Sequence, residues 1–213
     1  MPERLTIAID GPGSSGKGTV ARSVARALGY QYVDTGAMYR AVALVAQERG
    51  VDWADEPALA ALAKGLGFAF TWDGDDLRVV VDDRDVSEAI RTPEMGRGAS
   101  DVSKLPGVRG ALLDLQRGLG AEGGVVMDGR DIGTVVLPGA DLKIYLDASL
   151  DVRARRRSLE LKRRGQPRPY DQVRADLEAR DAQDMGRDVA PLRVADDGVV
   201  VDTTDMRVGE AVQ

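Results

Sequence analysis

The chain has 213 residues, 43% of them hydrophobic and 30% charged, which suits one soluble domain large enough to bury a core. Its 35 acidic residues outnumber its 29 basic ones, and the net charge of −6 argues against a non-specific nucleic-acid surface, which needs a basic face. With no cysteine and no histidine, disulfides, thiolate metal sites, imidazole bases and histidine zinc ligands are all excluded.

In chain order, a short apolar strand over 5–9 runs into Gly11-Pro-Gly-Ser-Ser-Gly-Lys-Gly-Thr19, and a helix is predicted over 17–28. Glycines let such a loop fold tightly and turn several backbone N–H groups inward, and the following helix offers its positive N-terminal end to the same anion. Lys17 adds a mobile positive charge suited to a β/γ-phosphate. The spacing fits G-x-x-x-x-G-K-[ST] except that Gly18 follows the lysine and the hydroxyl arrives one residue later, as Thr19. That leaves two roles open for Thr19: a contact to a metal ion, or a bond to a phosphate oxygen.

Further short strands are predicted over 31–33, 125–127, 142–146 and 199–201, and all end in Asp within a residue. Helical patterns fill 37–49, 57–66, 108–119, 150–164 and 170–185. This rhythm predicts a parallel sheet whose carboxyl ends line a crevice. One stretch breaks it. The segments 68–72 and 77–81 flank Asp73-Gly-Asp-Asp76 and read as a tight hairpin, with 82–86 as a candidate third strand. It is either an inserted subdomain of roughly 51–104 or an edge elaboration of the main sheet. The final segment, 207–213, reads as the start of a short helix.

Basic residues gather over 153–168 and 174–193. Helical spacing places Arg153 and Arg157 on one face, with Arg156 close to it, before Gly165 and Pro167 end the helix. Arginine suits phosphoryl transfer because its planar fork holds two oxygens and stays protonated. Two readings stand: a mobile arginine-bearing lid, or a solvated surface paired with Glu160 and Asp151. Asp10, Asp34 and Asp128, at strand ends, are open between holding Mg²⁺ through water, capping a helix and positioning an arginine.

Taken together, the glycine-lysine loop, Asp34-Thr-Gly-Ala-Met-Tyr-Arg40, Ile90-Arg-Thr92, Asp128-Gly-Arg-Asp-Ile-Gly133, and Arg180, Asp181 and Arg187 ahead of Val189-Ala-Pro-Leu192 resemble the bacterial cytidylate kinases. These are a branch of the nucleoside monophosphate kinases, and the resemblance runs nearly end to end. It implies a three-layer αβα phosphate-loop fold with a five-stranded parallel sheet. It also implies an inserted antiparallel-hairpin subdomain for the monophosphate (about 51–104) and a short helical lid (about 151–168), all within a single kinase domain of 1–213. The implied reaction moves the γ-phosphoryl of ATP to CMP or dCMP, with Mg²⁺. By motif, Gly11, Pro12, Gly13, Ser14, Ser15, Gly16, Lys17, Gly18 and Thr19 would hold ATP, and Lys17 would follow the moving group. Arg40, Arg130 and Arg187 would hold the α-phosphate of CMP, while Ser100, Arg109 and Asp131 would read cytosine. Thr35, Arg180 and Asp184 would lie near the pentose, and Arg153, Arg156 and Arg157 would come from the lid. Thr35 stands where the resemblance leads one to expect serine.

These roles fit elementary chemistry. Cytosine offers an amino donor at N4 and acceptors at N3 and O2, matched by a carboxylate with a hydroxyl and by a guanidinium. No general base is needed, because the attacking phosphate oxygen is already ionised. Two rivals remain: another small-molecule phosphate-loop kinase acting on UMP, AMP or shikimate, and a small GTPase-like switch. The switch's Asn-Lys-x-Asp motif is impossible in a chain without asparagine. No apolar run is long enough to span a bilayer and no basic-then-apolar leader is visible, so the expectation is a cytoplasmic monomer that binds neither membrane nor nucleic acid. Closure over both substrates is expected to protect the insert and the 153–168 segment from hydrogen exchange.

Overall fold

The computed structural model describes residues 4–74 and 76–213. They form two compact units, Met1–Tyr32 with Glu122–Gln213, and Val33–Ala121, with the boundary falling inside one strand.

The first unit is built on a five-stranded parallel sheet. In chain order its strands are β1 (Thr6–Asp10), β2 (Gln31–Asp34), β6 (Val125–Gly129), β7 (Leu142–Asp147) and β8 (Val199–Asp202), and in space they run β2-β6-β1-β7-β8. Central strands must be apolar on both faces, and Ile7, Ala8, Ile9, Val125, Val126 and Met127 are all buried. Edge strand β8 is the exception, with Val199 and Val200 exposed. The register pairs Asp10 with Gly129 and with Tyr145, so the ends of β6, β1 and β7 lie side by side. Whatever follows each strand is therefore brought to one rim of the sheet.

Helix α1 (Lys17–Leu28) follows β1, stops at Gly29 in the left-handed region, and packs on β6 and β1. Helices α6 (Leu150–Arg163) and α7 (Tyr170–Met185) share a small core of Ala154, Leu161, Val173 and Leu177, with Leu150 against it. Helix α8 (Val208–Val212) is the short terminal helix expected from the sequence.

The second unit contains α2 (Thr35–Glu48), α3 (Glu56–Gly65), α4 (Pro93–Val102) and α5 (Pro106–Gly120), with a separate antiparallel sheet of β3 (Phe68–Asp73), β4 (Asp76–Val81) and β5 (Arg84–Asp85). The hairpin is thus not an edge of the parallel sheet. Its Asp73 pairs with Asp76, while position 75 of the turn lies outside the described residues. The third strand is shorter than expected because Asp82 and Asp83 both take positive φ and make a turn of their own. Side chains cap three of the helices: Asp34 accepts from Ala37 N, Asp55 from Ala58 N and Thr92 from Met95 N.

Helix α4 is absent from the sequence reading. Its apolar stripe of Met95, Ala99 and Val102 is interrupted by Gly96 and Gly98, which weaken a helical pattern. The reason for Gly98 lies elsewhere in the chain. A Cβ there would stand 2.7 Å from the Trp53 ring and 2.8 Å from Ala43 Cβ. Trp53 is itself fixed by its Nε1 donating to the Ala43 carbonyl at 3.0 Å.

Candidate active site

The glycine-lysine loop occupies the turn between β1 and α1. Gly11 has φ 150°, and a Cβ there would sit 2.1 Å from the Leu146 carbonyl oxygen on β7. Gly16 has φ 100° and opens α1 with no side-chain cap, unlike α2, α3 and α4. The first N–H groups of α1 thus lack the carboxylate or hydroxyl that serves those helices. Ser15 is fully buried and its Oγ has no hydrogen-bond partner. Lys17 is buried too, and its Nζ donates to the Pro12 carbonyl at 3.1 Å, curling back over the loop. An orphaned hydroxyl, an uncapped helix start and a folded-back lysine form a donor set suited to a polyphosphate. Thr19, by contrast, is exposed in the first turn of α1.

The arginines of α6 divide into two kinds. Arg153 is buried, with Nε donating to Ala148 O at 2.8 Å and Nη1 to both Gly13 O at 3.2 Å and Asp181 Oδ2 at 2.5 Å. Arg156 donates from Nη1 to Ser15 O at 3.0 Å and to Thr203 Oγ1 at 3.1 Å, and from Nη2 to Thr203 O at 2.7 Å. Both brace carbonyls of the phosphate loop. Arg157 pairs with Glu160 at 2.8 Å in a half-exposed surface bridge. Asp151 pairs not with its own helix but with Arg174 Nε at 2.9 Å and the Tyr170 hydroxyl at 3.2 Å.

A second cluster centres on Asp184, which is almost completely buried. Arg130 Nε donates to its Oδ2 at 2.7 Å, Arg187 Nη2 bonds its Oδ1, and Arg180 Nε stands 4.0 Å from Oδ2. Burial alone would push the Asp184 carboxyl up. The positive charges of Arg130, Arg180 and Arg187 outweigh it and hold the group below the usual carboxylate range. The carboxylate bonds Arg130 through one oxygen and Arg187 through the other, which fixes the orientation of both, with Arg180 alongside. A Cβ built on Gly13 would lie 3.8 Å from Arg130 Nη2, so this cluster adjoins the phosphate loop.

The remaining aspartates resolve as follows. Asp34 caps α2 and pairs with Arg40 at 2.8 Å. Asp128 Oδ1 accepts from the Tyr32 hydroxyl at 2.8 Å. Asp10 is buried and takes two backbone N–H groups, from Ile132 and Gly133, both at 2.8 Å. Burial pushes its carboxyl up to about 6; the two N–H bonds and Lys17 pull it down, whereas Asp131 raises it further. Among the described residues there is no cluster of three or more acidic side chains able to cage a metal.

Of the other residues singled out by sequence, Asp131 is buried in the first unit beside this cluster. Thr35, Arg40, Ser100 and Arg109 belong to the second unit. Thr35 and Ser100 are buried, and Arg109 lies over the Tyr39 ring at 5.8 Å with Nη1 3.4 Å from Ser103 O. The sequence reading gave no role to Asp181 or Thr203. The i, i+3 spacing of Asp181 and Asp184 on an arginine-bearing helix was a usable signal; nothing local marked Thr203.

A parallel sheet that presents a braced lysine loop at one strand end, and oriented arginines at the next, defines an α/β kinase of the phosphate-loop class. The family model for cytidylate kinase matches residues 7–213. Cytidylate kinases from Geobacter sp. (strain M21) and Neisseria gonorrhoeae (strain ATCC 700825 / FA 1090) are each 47% identical to the chain, covering 98% and 100% of it and 90% and 96% of those proteins. The cytidylate kinase of Syntrophotalea carbinolica (strain DSM 2380 / NBRC 103641 / GraBd1) is 48% identical over 100% of this chain and 91% of its own. The chain belongs to the cytidylate kinase family.

Proposed function

We propose that the protein transfers the γ-phosphoryl group of ATP to CMP or dCMP, giving ADP and the cytidine diphosphate. The observation that carries this reading is the placement of the Arg130–Asp184–Arg187 cluster against Gly13 of the phosphate loop. Two polyanions cannot approach without cations between them, and a dissociative transfer needs positioning and charge matching more than covalent chemistry. The phosphate loop from Gly11 to Thr19 holds the donor phosphates, with Lys17 on the moving group. Arg130 and Arg187 hold the acceptor phosphate, already oriented by Asp184, so little reorganisation remains when the substrate arrives. Arg40 joins them, Ser100, Arg109 and Asp131 read the base, and Thr35, Arg180 and Asp184 serve the pentose side. Arg153 and Arg156 act by holding the loop in shape.

A magnesium ion held beside the Gly11–Thr19 loop would supply positive charge to match the negative charge developing on the transferred group. It keeps most of its water and asks few oxygens of the protein, which accords with the absence of an acidic cage among the described residues. Thr19, exposed in the first turn of α1 and so able to reach a hydrated ion outside the buried donor set, is the residue proposed to contact it.

The test is a coupled assay of ADP release with CMP, dCMP, UMP and AMP in parallel, and with no acceptor. CMP and dCMP are expected to be preferred, with little hydrolysis in their absence. A folded sample that makes no CDP from magnesium-ATP and CMP would overturn the reading.

A further inference from the structure

Asp10 is a buried charge that the proposed reaction does not use. It is the last residue of β1, directly before Gly11, and it stands opposite Gly129 in the ladder to β6. Its two oxygens take the N–H groups of consecutive residues: Oδ1 from Ile132 and Oδ2 from Gly133, each at 2.8 Å. These open a π-helical turn, Ile132–Val136, whose other side is tied by Val135 N and Val136 N donating to the Asp131 carbonyl. The backbone at Asp131 is thereby gripped from both directions. Gly133 adds a further constraint, since a Cβ there would press on the Lys143 side chain at 3.2 Å.

We propose that Asp10 is a positioning residue that holds the 130–133 loop in register with the phosphate loop, so that one carboxylate sets the donor side against the side that reads the acceptor base. The inference rests on the function proposed above. The physical case is that a carboxylate facing two N–H groups has no equivalent among neutral side chains. Asparagine offers one acceptor and turns its own donors toward the second N–H, which loses that bond and pushes the loop away. The charged groups facing Asp10 are Asp131 and Lys17, one of each sign, so neither neutralises it outright. A group kept ionised in a buried place, at a cost to folding, is what is expected where geometry matters more than stability.

The experiment compares wild type with Asp10→Asn and Asp10→Glu. Steady-state kinetics on CMP and UMP are paired with calorimetric binding of CMP and of magnesium-ATP. For Asp10→Asn, KM for CMP is expected to rise and the CMP-over-UMP ratio of kcat/KM to fall, each by ~10-fold or more, because small misplacements of positioned groups carry penalties of that order. Magnesium-ATP affinity should stay within about twofold, since Arg153, Arg156 and Leu146 still shape that loop. Asp10→Glu, which keeps the charge but displaces it by one methylene, should fall between. A merely structural carboxylate would lower stability and leave the CMP-over-UMP ratio unchanged, and that outcome overturns the proposal. If either variant fails to fold, the wild-type amide resonances of Ile132 and Gly133 serve instead. Their shift with pH should track the CMP-over-UMP ratio of kcat/KM, from which the titration of the substrate phosphate cancels, and resonances that ignore pH while that ratio changes also overturn it. If wild type itself makes no CDP, the functional reading falls first, and the two failures are told apart.

Discussion

Arg153 donates to the carbonyl oxygen of Gly13 across 140 positions of sequence, with the same nitrogen held by Asp181. Helical spacing alone leaves this residue open between a lid and a solvated surface; in the fold it is a buried brace for the phosphate loop.

Removing it leaves Asp181 charged and buried, with its Oδ1 already lacking a partner. Arg153→Ala is therefore expected to cost ~3 kcal/mol of stability, the scale for breaking one side of a buried ion pair. ATP affinity should fall with it. Chemical denaturation of Arg153→Ala, Asp181→Ala and the double variant checks this. The double variant should be less destabilised than the sum of the singles, and strict additivity would contradict the coupling.

Asp131→Ala is expected to narrow the preference for CMP over UMP by ~10-fold or more, because uracil turns a carbonyl toward the position that a carboxylate would otherwise guard. The comparison of kcat/KM for the two substrates decides it. Undiminished discrimination in the variant would remove Asp131 from base reading.

Asp184 and Asp10 should give pH dependences of opposite sign. Asp184 sits below the unfolded value of 3.8 when folded, so its stabilisation is complete above that pH and is lost as pH falls through the folded value. The stability gap between wild type and Asp184→Asn should be widest at neutral pH and close below pH ~4. Asp10, pushed up to about 6, works against folding above that pH by about 3 kcal/mol, a cost that fades as pH falls from 6 toward 3.8. Denaturation of both variants from pH 7 down to pH ~2, with wild type as reference, reads out Asp10 between about 6 and 3.8 and Asp184 below 3.8.

Gly98→Ala should destabilise by ~1–3 kcal/mol, the usual range for overpacking a filled core. The obstacle is a tryptophan ring, not the flexible end of a side chain. Thermal unfolding, followed by tryptophan fluorescence, measures the loss. A variant as stable as wild type would mean that α2 and α4 separate easily.

Much of the parallel sheet was legible because short apolar runs ending in Asp are a local signal, and the ends of the five strands stand within two residues of where the pattern put them. The phosphate loop was legible for the same reason: Gly11, Gly16 and Lys17 do their work within nine residues of one another. Helix α4 was not, since the residue that forces Gly98 is Trp53 on a different segment. Arg153 and Arg157 were correctly read as neighbours on a helix. Which of them turns inward depends on Asp181 and Gly13, and no spacing rule connects those to α6. The grip of Asp10 on Ile132 spans 122 positions and lies beyond any local pattern.

The closeness of the Leu146 carbonyl to Gly11 has an evolutionary consequence. Any mutation at that codon installs a side chain where main-chain oxygen already is, and no nearby replacement can make room because the obstacle is backbone. A saturation library selected for growth or turnover should return a single residue at position 11, whatever drift the rest of the molecule has undergone.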